Sequence, residues 1–140
     1  MAKPIIFDSG VLVALIDKRE QYHQWATEQA QTLLPPFVTC ESVITETCFL
    51  LRHIHNGHEA VLAMVEDGIL QIDFSLSAEI SEITSLMGKY DNVPMSLADA
   101  CLVRMSELLD NSVVFTLDSD FHIYRKNGKK EISLIIPDLT

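Results

Sequence analysis

Four carboxylates stand at positions where a carboxylate is either costly or conspicuous. Asp8 directly follows the apolar run Ile5-Ile6-Phe7, and Asp118 follows Val113–Leu117, with Asp120 close behind. Glu46 lies among Val43, Ile44, Phe49 and Leu50, and Asp99 among Leu97, Ala98 and Ala100. Burying an unpaired carboxylate is unfavourable. Bringing several together is worse, since two unit charges ~4 Å apart repel by about 4 kcal/mol at an effective dielectric of ~20. Such a set must either protonate or bind a divalent cation. All-oxygen ligation without paired histidines suits Mg²⁺ or Mn²⁺ rather than zinc. A cation of that kind lowers the pKa of a bound water and stabilises a phosphoryl transition state, which is the chemistry of metal-assisted phosphodiester hydrolysis.

Each acid also has a plainer structural explanation. Asp8 can end a strand as a turn residue, and Asp99, three residues after Ser96, can complete a capping box at the start of a helix. Glu46 can be a solvated helix position, and Asp118 and Asp120 turn acids. The ordered set, rather than any one member, carries the functional reading. Cys48, His53, His55 and His58 invite a zinc site, but residues 53 and 55 point about 200° apart on one helix, and Asn56-Gly57 breaks it before His58. No GxSxG elbow, GxGxxG loop or Walker A sequence is present.

The hydrophobic pattern supplies the elements that position these acids. Ile5–Phe7 reads as a buried strand. A helix with apolar positions from Tyr22 to Leu34 stops at Pro35-Pro36, and Phe37–Thr39 follows as a short strand. A helix from about Glu41 is expected to run to a C-cap at Asn56-Gly57, and another covers 59–67. A strand over 69–74 precedes a helix capped by Ser77, then a loop over 90–94 and a helix from Ser96 to about Asp110. Val113–Leu117 is β-branched and apolar enough for a central strand, and Leu134–Ile136 is the last. Alternating β and α elements predict an α/β fold, a mostly parallel twisted sheet with helices on both faces. In such sheets ligands gather beyond the carboxyl ends of the strands, where Asp8 and Asp118 stand.

The 140 residues are expected to form a single domain over 1–140, and 48% hydrophobic residues exclude intrinsic disorder. A net charge of −10 argues against a role resting on non-specific nucleic-acid affinity. Any such contact must be local or bridged by a cation. Three cysteines without paired spacing, no signal-peptide pattern and no long apolar run predict a cytoplasmic protein that does not enter a membrane.

Four segments resemble the motifs of PIN domains: Ile-Ile-Phe-Asp-Ser-Gly at 5–10, Val-Ile-Thr-Glu-Thr at 43–47, Ser-Leu-Ala-Asp-Ala at 96–100 and Thr-Leu-Asp-Ser-Asp-Phe at 116–121. Their order and spacing fit a compact member, and the likeness covers essentially the whole chain. The resemblance implies a PIN-like fold and a metal-dependent ribonuclease using Mg²⁺ or Mn²⁺, of the VapC-like kind that forms the toxin of a toxin–antitoxin pair. It assigns Asp8, Glu46, Asp99 and Asp118 as catalytic, metal-binding residues. Asp120 is then an auxiliary acid, and Thr116 and Ser9 are hydroxyls supporting the acids or a bound water. By the same resemblance, a metal-bound water attacks the phosphodiester in line and leaves 5′-phosphate and 3′-hydroxyl ends. It further implies a homodimer and a cognate antitoxin bound along the helical faces around 11–34 and 43–55.

Arg125, Lys126, Lys129 and Lys130 crowd together just after the Asp118 motif, either as a solvated turn or as an RNA phosphate contact. Three rival readings differ in testable ways. A housekeeping RNA-processing nuclease would lack an antitoxin. A phosphoacceptor signalling domain should carry a lysine after its last central strand, where Pro137-Asp138 stand here. A metal-free interaction module would not bind Mn²⁺.

Overall fold

The computed structural model describes residues 3–138, and its spine is a five-stranded, wholly parallel sheet. In chain order, β1 (Ile5–Phe7) leads into α1 (Ser9–Ile16) and α2 (His23–Thr32), and β2 (Phe37–Thr39) into α3 (Glu41–Leu50) and α4 (Gly57–Glu66). After β3 (Leu70–Ile72) come α5 (Ile80–Lys89) and α6 (Leu97–Leu108), then β4 (Val113–Phe115) and a 3₁₀ turn, Ser119–His122. The short strands β5 (Arg125–Lys126) and β6 (Lys130–Glu131) form a separate antiparallel ribbon before β7 (Leu134–Ile135). The sheet order is β3-β2-β1-β4-β7. The chain thus winds outward from β1 in one direction and resumes on its other side at β4, so the switch of direction falls between β1 and β4.

Strands covered on both faces need continuous apolar runs rather than alternation. β1 and β4 are buried at every residue and pair in register, Ile5 with Val113 and Phe7 with Phe115. Phe7 packs edge-on against Phe115 at 5.2 Å and tilted against Phe37 at 5.2 Å, while Trp25 covers Phe115 from α2 at 5.7 Å. α6 contributes Ala98, Ala100, Cys101, Leu102, Val103 and Met105 to the same core.

Two sequence expectations are corrected. Asn56-Gly57 does not end a long helix: α3 stops at Leu50, and Asn56, at φ 57°, is the residue preceding α4. Gly57 is required there because a Cβ would stand 2.7 Å from the Leu51 carbonyl oxygen. Ser77 caps nothing, since α5 begins at Ile80 and the turn before it is closed by Ser75, whose Oγ accepts the Ala78 N–H at 3.2 Å. The strands predicted over 69–74 and 113–117 are real but shorter.

Candidate active site

Asp8 and Asp118 leave the carboxyl ends of β1 and β4 on either side of the switch point, where open α/β sheets place their ligands. Asp8 caps α1, its Oδ1 accepting the Ser9 N–H at 2.7 Å. Asp118 caps the 3₁₀ turn, its Oδ1 accepting the Asp120 N–H at 2.9 Å. Asp99 reaches the same place from the first turn of α6, and Glu46 from the middle of α3. The four carboxylates line one cavity of about 270 Å³, with Ser9, Gly10, Leu50 and Leu117 completing its walls.

Each acid is held from behind. Thr116 Oγ1 donates to Asp8 Oδ2 at 2.6 Å and accepts the Asp118 N–H at 2.9 Å. Ser9 Oγ donates to Glu46 Oε1 at 2.9 Å, so one hydroxyl joins α1 to α3 across the cavity. Asp99 completes the capping box with Ser96 and lines the cavity as well. Its Oδ2 also accepts the Tyr124 hydroxyl at 3.0 Å. In Glu46, Asp99 and Asp118 one oxygen is restrained in this way, while the other takes no hydrogen bond among the described residues. Glu46, set in the sequence between Val43-Ile44 and Phe49-Leu50, is exposed; Val43 and Ile44 turn inward while Phe49 and Leu50 are exposed.

Burial pushes the Asp8 carboxyl up from 3.8 to about 6, against the lowering effect of the Thr116 and Ser9 hydrogen bonds, and the Asp99 and Asp118 charges push the same way. Asp99 is also raised, by burial and then by Asp118, with the Tyr124 bond opposing. Asp120 is raised by partial burial and by Asp118. It stands behind Asp118 and does not line the cavity. These shifts come first from burial, to which the mutual repulsion of the carboxylates adds. Among the described residues no three His, Cys, Asp or Glu side chains already stand at ligating geometry. The donor set, four carboxylates around one small cavity, nonetheless fits a hard divalent cation, which takes oxygen ligands and would offset that repulsion.

The basic segment lies outside this cavity. The Arg125 guanidinium is bound to the carbonyl oxygens of His122, Ile123 and Tyr124, at 2.6 Å for the first. Lys129 and Lys130 are exposed on the β5–β6 ribbon, and Lys126 is half-buried there. Sequence reasoning missed Tyr124. Its only trace was an aromatic three residues after Phe121, which looks like any core position.

The family model for the PIN domain matches residues 5–127, the span that carries all four acids. The chain belongs to the PIN domain family. The PIN fold is also seen in the crystal structure of VapC20 from Mycobacterium tuberculosis, described as a Sarcin-Ricin loop cleaving toxin. The two chains are similar at a TM-score of 0.71 with 21% identity, over 83% of this chain and 91% of that one. At that identity the likeness is one of fold. No curated protein matches the chain.

Proposed function

We propose that this PIN domain is a metal-dependent endoribonuclease that hydrolyses RNA phosphodiester bonds, and that it is the toxin of a type II toxin–antitoxin pair. The observation that carries the chemistry is the convergence of Asp8, Glu46, Asp99 and Asp118, from four separate segments, on one cavity at the switch point of the sheet. These four residues would hold Mg²⁺ or Mn²⁺, which when bound supplies a Lewis acid for the phosphodiester and an activated water. The protein's own groups prepare that site. Thr116 and Ser9 fix Asp8 and Glu46, and Asp120 fixes Asp118 through its backbone N–H. Leu50 and Leu117 line the cavity with apolar surface, which strengthens charge interactions inside it.

The toxin role is supported by the shared fold with VapC20. The chain is proposed to form a homodimer, and the proposed antitoxin surface is the faces around 11–34 and 43–55, where Phe49 and Leu50 expose 61% and 47% of their surface. Arg125, Lys126, Lys129 and Lys130 are proposed to meet the RNA backbone, in a single-domain protein of the cytoplasm.

The test is cleavage of end-labelled structured RNAs, with and without Mg²⁺ or Mn²⁺, by wild type beside Asp99→Asn. Metal-dependent cutting that the variant loses supports the enzyme. Equal cutting by both overturns the placement of Asp99, and cutting by neither overturns the endoribonuclease reading. A small protein encoded beside this one that blocks cleavage supports the toxin role over a housekeeping RNA-processing one.

A further inference from the structure

We infer that Tyr124 is a positioning residue for the acidic site: its hydroxyl pins Oδ2 of Asp99 so that Oδ1 is presented to the cavity. The inference rests on the proposed metal-dependent chemistry and extends it to a residue outside the four acids. Tyr124 is completely buried and does not line the cavity. Its hydroxyl lies 3.0 Å from Asp99 Oδ2. The other donor to that oxygen, the Ser96 N–H, stands at 3.4 Å, too long to hold the carboxylate firmly.

The ring is packed between two other aromatic rings. Phe121 packs on it edge-on at 5.1 Å and 87°, and Tyr90 packs on it at 5.2 Å and 69°. Tyr124 directly follows the turn that Asp118 begins, its N–H donating to the Asp120 carbonyl at 3.2 Å. One short segment therefore carries Asp118 and sets the rotamer of Asp99, so the two acids are placed relative to each other by a single piece of chain.

The test compares wild type, Tyr124→Phe and Tyr90→Phe by calorimetric titration with Mn²⁺ alone, by metal-free thermal unfolding and by RNA cleavage. Phe keeps the ring and removes only the hydroxyl. Tyr124→Phe is expected to weaken Mn²⁺ binding about tenfold, the scale of losing a group that orients a metal ligand. At saturating metal it lowers kcat with KM for RNA within about twofold. Tyr90→Phe, which leaves the Asp99 bond in place, binds Mn²⁺ like wild type, and Tyr124→Phe adds nothing in an Asp99→Asn background. Mn²⁺ affinity in Tyr124→Phe equal to wild type overturns the inference, even if the melting temperature falls, because that loss alone is structural. Equal weakening in Tyr90→Phe overturns it too, since the effect would then belong to the packing of the aromatic cluster. A wild type that binds no Mn²⁺ overturns both this inference and the metal-dependent reading. Weakened binding in Tyr124→Phe from a wild type that cuts no RNA upholds the positioning role and overturns the endoribonuclease reading alone.

Discussion

The Thr116 hydroxyl stands 2.6 Å from Asp8 Oδ2 and, through the Asp118 N–H at 2.9 Å, ties the two acids that leave β1 and β4 to one oxygen atom. Thr116 is completely buried, so neither bond can be replaced by bulk water.

Thr116→Val keeps the β-branched shape and removes both bonds. It is expected to destabilise the fold by about 1–3 kcal/mol, the cost of leaving a buried polar partner unsatisfied. Metal-dependent cleavage should fall at the same time, and Thr116→Ser should recover most of both. Chemical denaturation read beside cleavage checks this, and a Val variant with wild-type cleavage would contradict the role given to the hydroxyl.

Asp8 makes the metal-free fold sensitive to pH. Its carboxyl is raised from 3.8 to about 6, so between those values the folded state holds a proton that the unfolded chain has already lost. Stability therefore falls as pH rises through that window, by about 2–3 kcal/mol once pH exceeds 6. Asp8→Asn cannot lose this proton. Its melting temperature relative to wild type should climb from pH 4 to pH 7 without metal, while its cleavage is lost; a flat difference across that range would refute the assignment.

Binding a cation to the folded state alone raises stability by about 2.7 kcal/mol at a hundred times its dissociation constant. Mn²⁺ is thus expected to raise the melting temperature of wild type, and Asp118→Asn should shrink that rise. Thermal unfolding across a Mn²⁺ series reads both. An undiminished rise in the variant would remove Asp118 from the ligand set.

Neutralising Arg125, Lys126, Lys129 and Lys130 together is expected to weaken RNA binding and flatten its salt dependence. Each lost contact to a single strand removes about 0.7 from the slope of log K against log salt. Because Arg125 is bound to three backbone carbonyls, the three lysines should account for most of the change. Filter binding across a range of salt concentrations measures it, and an unaltered slope would assign the segment to a solvated ribbon.

Much of this architecture was legible because parallel strands buried on both faces leave unmistakable apolar runs. Ile5–Phe7, Phe37–Thr39 and Val113–Phe115 are found where those runs place them. α1 is harder to read, since Ser9–Ile16 is almost uniformly apolar and shows no helical period. Asn56-Gly57 misled because a positive φ serves the start of a helix as well as its end. The four acids were visible as types in order; strand ends placed Asp8 and Asp118 side by side, while Glu46 and Asp99, on helices, were grouped with them only by the resemblance to the PIN motifs. Their supports were not, because a hydroxyl that orients a carboxylate 25 positions away, as Tyr124 does for Asp99, leaves no local pattern.

The pairing of β1 with β4 also sets a clock. Asp8 is made well before the strand that completes its surroundings, with 108 positions separating it from Thr116. At ordinary elongation rates a ribosome takes roughly 5–20 s to cover such a stretch. During that interval the nascent chain has Asp8 and lacks Asp118, so a growing or prematurely terminated product is chemically incomplete. The set of four acids is therefore complete only once β4 and the turn after it have been made.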